Sequence, residues 1–287
     1  MDATEQKPFA EWIGRQSESF DVVSERLVRS FKAVFEPNLA PSAAGQAPLG
    51  IHWCLSPAIA GMDQLGADGH PAKNLSLPPV PQPRRMWAGG ELRVLDAFQV
   101  GDEVRRVSTI RDIVRKQGRS GELWFVAVGH DYHSDRGLVL SERQDIVYRE
   151  AAMPGDGARS NNAPVAPTMI QPAGKVWSLV PSPTLLFRYS AITFNGHRIH
   201  YDLPYATKAE GYEGLVVHGP LQATLLLNLA ASQGADLPLT FRYRGVAPAI
   251  ADRELTFRAG MDGQRFWAQG GHGAVHMEAD IDQGPAR

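Results

Sequence analysis

Cysteine is almost absent from this sequence, which has a single one, Cys54, among 287 residues. A lone thiol excludes an internal disulfide, so cysteine usage gives no indication of an oxidising compartment. Apolar runs stop well short of the ~20 residues that a membrane-spanning helix needs. The opening residues also lack the basic-then-apolar order of a secretory signal. We therefore expect a soluble, cytoplasmic protein.

An excess of either charge is also missing, since 29 Lys and Arg face 31 Asp and Glu, for a formal net charge of −2. A balanced chain has no global attraction for nucleic acid or for an anionic membrane, so neither is an expected partner. Hydrophobic residues make up 43% of the chain. That share and this length predict two domains of roughly 100–150 residues, each with its own core.

The N-terminal part of the chain indicates a helix followed by antiparallel strands. Helical patterns lie around residues 9–13 and 22–35, and the second repeats apolar residues at four-residue spacing. IHWCLS, residues 51–56, is predicted to form a short strand. Three runs rich in Val, Ile, Phe and Tyr, separated by turn glycines, predict further strands at 103–116, 123–133 and 138–148. This order is typical of an α+β fold.

Residues 151–174 are dense in Ala, Pro, Gly, Ser and Asn, and we predict that they link an N-terminal domain (1–150) to a C-terminal domain (175–287). The C-terminal part again predicts helices followed by strands. These comprise a short strand at 176–180, helices at 183–192 and 220–231, and long strands at 239–259 and 264–281. The two parts share an order of elements without a repeat of residues.

Candidate chemistry is concentrated between residues 188 and 230, where three imidazoles, His197, His200 and His218, accompany Asn195. An imidazole gives or takes a proton near neutral pH. A single loop histidine is more often structural, but three within 22 residues favour catalysis for His200. His197 and His218 either contact substrate or orient the loop. No cysteine or H-x-x-x-H pair accompanies them, so no metal is expected.

The run His218-Gly219-Pro220 predicts the start of a buried helix. Pro220 fits the first turn, where its missing N–H costs nothing. A helix start has free backbone N–H groups and a partial positive charge. The Gly219 N–H could therefore stabilise an oxyanion that forms on a thioester carbonyl, and a glycine lets a substrate approach the backbone.

A family resemblance rests on T-F-N-G-H-R-I-H (193–200), the following YDLPYA, and VVHG before the helix. These motifs resemble those of R-specific enoyl-CoA hydratases and MaoC-like dehydratases, which have the hotdog fold. The resemblance implies that His200 is the catalytic histidine and that Gly219 is the backbone oxyanion donor. Asn195 falls where the family has its catalytic aspartate, and His197 falls on the motif's asparagine.

Asn195 is a departure from the family, because an amide cannot act as a general base. One interpretation is that His200 alone transfers the proton while Asn195 orients the water. The other is that Asp202, two residues beyond His200, supplies the missing carboxylate. We favour the first interpretation.

A narrower resemblance rests on EGYEGLVVHGPL together with PRRMWAGGELR and QDIVYRE further upstream. It is to double-hotdog hydratases of branched five-carbon dicarboxylic CoA thioesters, namely mesaconyl-C4-CoA (3-methylfumaryl-CoA) hydratases and itaconyl-CoA hydratases. The resemblance implies an α+β double hotdog, with catalysis in the C-terminal domain and an N-terminal domain that shapes the acyl pocket. It implies a hydro-lyase that forms citramalyl-CoA, with no metal or redox cofactor, and it is compatible with a homodimer.

Candidate substrate-binding residues, besides His197 and His218, are Tyr189, Arg242 and Arg244. The two arginines are two residues apart on a predicted strand and so share a face, from which they could meet CoA phosphates or a substrate carboxylate. Alternatively, the two arginines lie on a solvated strand edge and contact no substrate. Arg84 and Arg85, before Met86-Trp87, are similar candidates with the same alternative, and we give His130 and His133 no role beyond a solvated turn.

Three other functions stay open at this point. They are a dehydratase of straight-chain 3-hydroxyacyl thioesters, a thioesterase on the same fold, and a non-catalytic acyl-CoA-binding subunit. A hotdog thioesterase usually relies on a helix carboxylate, whereas the predicted helix offers Gln222 and Asn228. The binding subunit is motivated by Asn195.

Overall fold

The computed structural model describes residues 8–118, 121–150 and 173–283. Ten strands lie in these ranges: β1 Gln16–Val22, β2 Arg84–Val94, β3 Glu103–Gly118, β4 Gly121–Ser134, β5 Gly137–Arg149, β6 Ala173–Leu179, β7 Leu239–Gly245, β8 Leu255–Gly260, β9 Arg265–Gln269 and β10 Val275–Asp282. The α-helices are α1 Glu25–Phe35, α2 Pro183–Thr193 and α3 Gly219–Ala231. None of the described helices is long and apolar enough to cross a membrane.

All ten strands form one antiparallel sheet in the order β1-β3-β4-β5-β2-β7-β10-β9-β8-β6. The first five strands of the chain lie on one side, the last five on the other, and β2 pairs with β7 at the seam. Gly90 lies at that seam opposite Tyr243. A Cβ on Gly90 would lie 2.4 Å from the Tyr243 hydroxyl, so the close packing requires a glycine there. The α+β class predicted from the sequence is confirmed.

The two halves of the sheet repeat one topology. Read from the outer edge to the seam, β1-β3-β4-β5-β2 matches β6-β8-β9-β10-β7 strand for strand. In each half the edge strand leads directly into a helix, α1 or α2, so the similar order of elements seen in the sequence becomes a repeated fold. The predicted linker lies outside the described residues up to position 172, and the domain bounds stay a prediction.

Matching caps begin α1 and α2. The Ser24 hydroxyl accepts the Leu27 N–H at 3.1 Å, and the Ser182 hydroxyl accepts the Leu185 N–H at 3.2 Å. The central helix α3 has Pro220 in its first turn instead of a side-chain cap. It is apolar on nearly every side and packs across β7, β8, β9 and β10, which explains why it is buried throughout.

The N-terminal half has a short 3₁₀ helix, Ile51–Cys54, at the point in the topology where the C-terminal half has α3. The predicted strand at 51–56 is therefore wrong. Side chains hold this turn on the concave face of the sheet: the His52 ring meets Tyr132 edge-on at 5.6 Å, and Trp53 Nε1 donates to Glu142 at 2.9 Å. These contacts outweigh the local strand preference of an apolar run.

Other sequence expectations were wrong in detail. The predicted first helix is a single 3₁₀ turn, Ala10–Trp12, and the polar edge strand β1 was not expected. The strand β2 was not expected either, because the glycine pair at 89–90 interrupts its strand pattern. The two long C-terminal strands are four strands, because the chain leaves the sheet between β7 and β8 and again between β9 and β10.

Candidate active site

A cleft of about 870 Å³ lies between the start of α3 and the concave face of the N-terminal half-sheet. Its other walls are the histidine loop, which we define as residues 194–218, and a long irregular stretch, residues 55–83, which we call the crossing segment. The cleft draws on both halves of the molecule. Six of the candidate residues line it: Arg85, Tyr189, Asn195, His197, His200 and Gly219.

His200 ends a 3₁₀ turn in the histidine loop and is 6% exposed. Its Nδ1 lies 2.7 Å from the Val216 carbonyl oxygen. A carbonyl only accepts, so Nδ1 carries the proton and Nε2 is the acceptor nitrogen of the neutral ring. Burial lowers the pKa of His200 to about 3, against a smaller raising effect of the Val216 hydrogen bond. The ring is therefore neutral at pH 7 and can accept a proton.

His218 supports His200 from behind. The two rings stack with centroids 3.5 Å apart and planes 18° apart, and His218 Nε2 lies 2.9 Å from the Ser190 hydroxyl. Tyr189 meets the His218 ring edge-on at 4.9 Å. Burial lowers the pKa of His218 far below its usual value. His218, predicted to bind substrate or orient the loop, does not line the cleft, so its geometry favours the orienting role.

Asn195 shapes the histidine loop. Phe194 ends α2 in the left-handed conformation with φ 49°, and the Asn195 Oδ1 then accepts the His197 N–H at 3.0 Å. The His197 ring faces the cleft and meets the His200 ring at 5.3 Å and 88°. Burial, together with the neighbouring imidazoles and Arg85, lowers the pKa of His197 strongly. Asn195 and His197 both line the cleft that His200 lines.

Gly219 follows the histidine loop directly, begins α3 and lines the same cleft. The first N–H groups of a helix have no partner within it, so this donor is free for a ligand. Trp87 packs against the glycine so closely that a Cβ at position 219 would lie 2.4 Å from Trp87 Cε3. Trp87 in turn stacks on Tyr243 at 4.5 Å. Only a glycine fits here without movement of the indole.

The crossing segment brings two residues that the sequence did not indicate, Asp68 and His70. Asp68 Oδ2 lies 2.9 Å from His70 Nδ1, and the His70 ring lies over that of His197 at 4.1 Å. Donor atoms of Asp68, His70 and His197 all lie within 4.8 Å of one another, close enough by distance for a cation. The Arg85 guanidinium, which lowers the pKa of both histidines, opposes a cation there.

Arg84 and Arg85 point to different places. Arg84 is buried in an ion pair with Glu210, at 2.5 Å from Nε to Oε2. Arg85 lines the cleft, and no carboxylate of the described residues lies within ion-pair distance of it. A cation without an ion-pair partner in the cleft that His200 lines is a place for an anionic group of a substrate.

Arg242 and Arg244 are not brought to the cleft. Along β7 the side chains alternate, with Phe241 and Tyr243 buried, so the two arginines lie on the opposite face of the sheet. There Arg242 pairs with Glu91 at 2.9 Å and with Asp280, and Arg244 pairs with Glu278. The structure therefore gives no support to substrate contact by these arginines in this cleft, and β7 is a central strand rather than an edge.

Asp202 is engaged elsewhere as well. Its carboxylate accepts from Arg198 at 2.7 Å and from the Tyr205 N–H at 3.1 Å, and the Arg198 hydrogen bond lowers its pKa. It does not line the cleft. The geometry therefore gives no support to Asp202 as a substitute for the missing carboxylate.

The N-terminal half-sheet contributes polar side chains on its concave face, among them Ser108, His130 and Gln144. His130 Nδ1 lies 2.8 Å from the Ser108 hydroxyl, and burial lowers the pKa of His130 to about 3. The expected solvated turn at His130 is therefore wrong. Strand alternation was the available signal, because His130 shares a face with the buried Val128 and Tyr132.

Comparison with known proteins fits this architecture. A family model described as hydroxyacyl-thioester dehydratase type 2 matches residues 50–251. A mesaconyl-C(4)-CoA hydratase of Chloroflexus aurantiacus is 40% identical over 276 residues, covering 95% of this chain and 97% of that protein.

Solved structures agree on the fold. The Mycobacterium tuberculosis protein HtdX superposes with a TM-score of 0.65 at 16% identity, over 93% of this chain and 99% of its own. A second M. tuberculosis protein, described as a double hotdog, gives 0.58 at 13% identity, over 94% and 95%. At such identities the likeness concerns the fold alone, and the predicted double hotdog is confirmed. Since the family model spans most of the chain and the hydratase relative nearly all of it, the chain belongs to the hydroxyacyl-thioester dehydratase type 2 family of MaoC-like hotdog proteins.

Proposed function

We propose that this protein is a hydratase that adds water to mesaconyl-C4-CoA and forms citramalyl-CoA. The observation that carries the proposal is one cleft lined by the acceptor imidazole of His200, the free helix N-terminus at Gly219 and the arginine at position 85, which has no ion-pair partner. The named activity of the relative that is 40% identical over nearly the whole chain supports it.

The proposed reaction uses one imidazole and one backbone donor. His200 Nε2 takes a proton from water as the water oxygen bonds to the β-carbon. The electron pair of the double bond moves toward the thioester carbonyl, whose oxygen gains negative charge and is held by the Gly219 N–H. His200 then returns the proton to the α-carbon. The low pKa of His200 keeps the ring unprotonated before each cycle, and the fixed Nδ1 tautomer aims Nε2 at the water.

Arg85 supports a dicarboxylic substrate over a simple enoyl chain. In mesaconyl-C4-CoA the β-carbon, where water adds, also carries a methyl group and a carboxylate. A guanidinium that lies beside His70 and His197 is therefore near the expected position of that carboxylate. Charge-assisted hydrogen bonds of this kind contribute about 1.5–3 kcal/mol. A straight-chain 3-hydroxyacyl thioester would leave Arg85 in the cleft without a partner.

The thioesterase alternative needs a carboxylate that faces the thioester from the central helix. On α3 the cleft-lining polar side chain is Gln222, and Asn228 is buried and bonded to the Leu49 carbonyl and the Ala40 N–H. Neither side chain can act as a base. No observation in the described part of the chain favours hydrolysis over hydration.

A three-substrate assay tests the proposal. Wild-type protein is incubated with mesaconyl-C4-CoA, itaconyl-CoA and crotonyl-CoA, and the enoyl absorbance and free thiol are followed together. We expect mesaconyl-C4-CoA to be hydrated fastest without release of thiol. Free thiol with an intact double bond would mean a thioesterase, a preference for crotonyl-CoA would favour the straight-chain dehydratase, and no reaction would favour a binding subunit.

Arg85→Gln separates recognition of the carboxylate from the chemistry. We expect kcat/KM for mesaconyl-C4-CoA to fall about 10- to 100-fold, the equivalent of one charge-assisted interaction. The rate with crotonyl-CoA, which has no carboxylate, stays within about threefold. Arg93→Gln, an exposed arginine further along β2, is the matched control. An equal loss on both substrates would remove the proposed role of Arg85.

Three further properties belong to the same proposal. Proton transfer by an imidazole and charge stabilisation by a backbone donor need no metal or redox cofactor, so we expect a chelator to leave the rate unchanged. A homodimer, which sedimentation would detect, and a cytoplasmic location both stay predictions from the sequence.

A further inference from the structure

The Asp68–His70 pair in the crossing segment has a defined hydrogen-bond arrangement. Asp68 accepts the His70 N–H through Oδ1 at 3.1 Å and faces His70 Nδ1 through Oδ2 at 2.9 Å. An ionised carboxylate only accepts, so Nδ1 is the donor and Nε2 carries the free lone pair of the neutral ring. Both side chains are largely buried, at 18% and 22% exposed for His70 and Asp68.

Backbone contacts fix this pair against the histidine loop. The Arg198 N–H donates to the Asp68 carbonyl at 2.8 Å, and Arg198 Nη1 donates to the Ala67 carbonyl at 2.9 Å. A Cβ on Gly69, which has φ +88°, would lie 2.0 Å from the Gly196 carbonyl oxygen. Glycine at position 69 thus permits the close approach that seats the pair.

The contacts place His70 in a row of imidazoles on the cleft. His70 lies over His197, and His197 meets His200 edge-on, so the row has one ring from the N-terminal half and two from the C-terminal half. The cleft that they line also contains Gly219. A water held by His200 alone would keep one hydrogen free and could rotate out of line with the β-carbon.

Asn195 is poorly suited to hold that second hydrogen. Its Oδ1 already accepts the His197 N–H, and an amide oxygen is a weaker acceptor than a carboxylate. We propose that His70, oriented by Asp68, accepts the second hydrogen of the attacking water while His200 takes the first. His70 would thereby do from the N-terminal half what a carboxylate at position 195 would do. This inference rests on the proposed hydratase function.

The atoms balance without a further reactant. One O–H bond of water breaks and its proton goes to His200 Nε2, while the oxygen bonds to the β-carbon. His200 delivers the same proton to the α-carbon. His70 Nε2 accepts a hydrogen bond from the hydroxyl that remains and neither gains nor loses a proton over the cycle.

Charged and titratable groups face His70 from three elements, namely β2, the crossing segment and the histidine loop. Burial lowers its pKa most, and Arg85 from β2 lowers it further. Asp68 in its own segment and Glu210, just after the π-helical turn Tyr205–Ala209, raise it. His197, from the histidine loop, is the neighbouring ring. The net effect is a lowered pKa, so His70 is an acceptor at neutral pH and ceases to be one in acid.

The variant Asp68→Asn should shift the pH profile of kcat/KM, which a merely structural role of Asp68 would leave unshifted. Removing the carboxylate removes an effect that raises the pKa of His70, so His70 stays unprotonated to lower pH. We therefore expect the acid limb of kcat/KM to move to lower pH even though the rate itself falls. An unchanged acid limb would overturn the proposal.

The main experiment compares His70→Ala, His70→Gln and the control His133→Ala in the full-length chain, using mesaconyl-C4-CoA. We expect His70→Ala to lower kcat about 10- to 100-fold with KM within about threefold. His70→Gln should recover part of the loss because its amide oxygen can accept, and His133→Ala, outside the cleft, should match wild type. Circular dichroism and melting confirm that each variant is folded, and the glutamine variant gives the answer if the alanine variant does not fold.

A double variant tests whether both histidines act on one water. If they do, His70→Ala combined with His200→Ala loses much less than the product of the single losses. Retention of the wild-type rate by His70→Ala, or fully multiplicative losses, would overturn the role of His70 while leaving the hydratase function intact. A wild-type protein that hydrates neither mesaconyl-C4-CoA nor crotonyl-CoA would overturn both.

Discussion

The two halves of this molecule have the same strand order and different interiors. In the C-terminal half, α3 fills the concave face of the sheet with thirteen residues, and its first residue is the proposed oxyanion donor. In the N-terminal half the corresponding element is the four-residue turn Ile51–Cys54, followed by the crossing segment. The missing helix leaves room for the cleft, and the chain that replaces it reaches the histidine loop.

This difference gives the two halves different structural roles at the site. A helix that is apolar all round gives rigid support for a backbone donor and for the stacked His200 and His218 rings. An irregular segment is free to bring polar groups such as His70 to a site formed mainly by the other half. The repeated fold thus supplies a second half-sheet, and the shorter element on that half leaves its face exposed as a wall of the cleft.

The largest expected effect is the loss of kcat when the cleft imidazole of the C-terminal half is removed, compared with removal of one from the N-terminal half. His200→Ala should lower kcat about 10²- to 10⁴-fold, the usual contribution of one acid–base group. His130→Ala, which removes a cleft imidazole of the N-terminal half, should mainly raise KM, within about tenfold. Steady-state kinetics on mesaconyl-C4-CoA measures both. Equal losses of kcat would mean that the halves share the chemistry more evenly than proposed.

Gly219→Ala tests the helix start that only the C-terminal half has. The added Cβ must displace Trp87, since it would lie 2.4 Å from the indole. We expect overpacking to lower the free energy of unfolding by about 1–3 kcal/mol. Displacement of the donor should lower kcat about 100-fold. Gly271→Ala, where a Cβ meets nothing within 4 Å, is the control in urea unfolding and kinetics; an active Gly219→Ala would argue against the oxyanion role.

Asn228→Ala tests the connection between the halves. The Asn228 amide donates to the Leu49 carbonyl at 2.9 Å, and its oxygen accepts the Ala40 N–H at 3.2 Å, which ties the N-terminal chain to α3. Loss of both bonds leaves buried groups unpaired, so we expect about 2–3 kcal/mol less unfolding free energy. The kcat should stay within about twofold. Gln233→Ala, an exposed side chain just beyond α3, is the control, and an equal effect of both would deny the connection.

Sequence patterns predicted well what depends on neighbours along the chain. The strands near 103–148 follow hairpin order, α2 lies where the sequence predicted a helix, and α3 has Pro220 in its first turn as expected. The histidine loop was also local, because Asn195, His197 and His200 lie within six residues. Local spacing was enough to predict that they share one loop, and all three line the same cleft.

What the sequence did not predict depends on contacts between distant segments. Asp68 and His70 lie in a Pro-rich loop, and their place is set by Arg198 and Gly196, more than 120 residues away. Arg242 and Arg244 share a strand face as expected, but which face points to the cleft is decided by burial of Phe241 and Tyr243 in the assembled sheet. Periodicity predicts a shared face and leaves its environment open.

The smallest expected effect is one that the two halves share, acid sensitivity from buried imidazoles. Burial lowers the pKa of His52 in one half and of His200 in the other to about 3, from an unfolded value near 6.5. The unfolded chain therefore binds more protons, and unfolding free energy is full above pH 6.5 and falls as pH drops from there toward 3. Each such group contributes up to about 1.4 kcal/mol per pH unit. Replacing either with Gln should reduce the pH slope of the unfolding free energy between pH 6 and pH 4 by about one proton in urea titrations. A reduction for only one of the two variants would show that the halves do not bury their imidazoles alike.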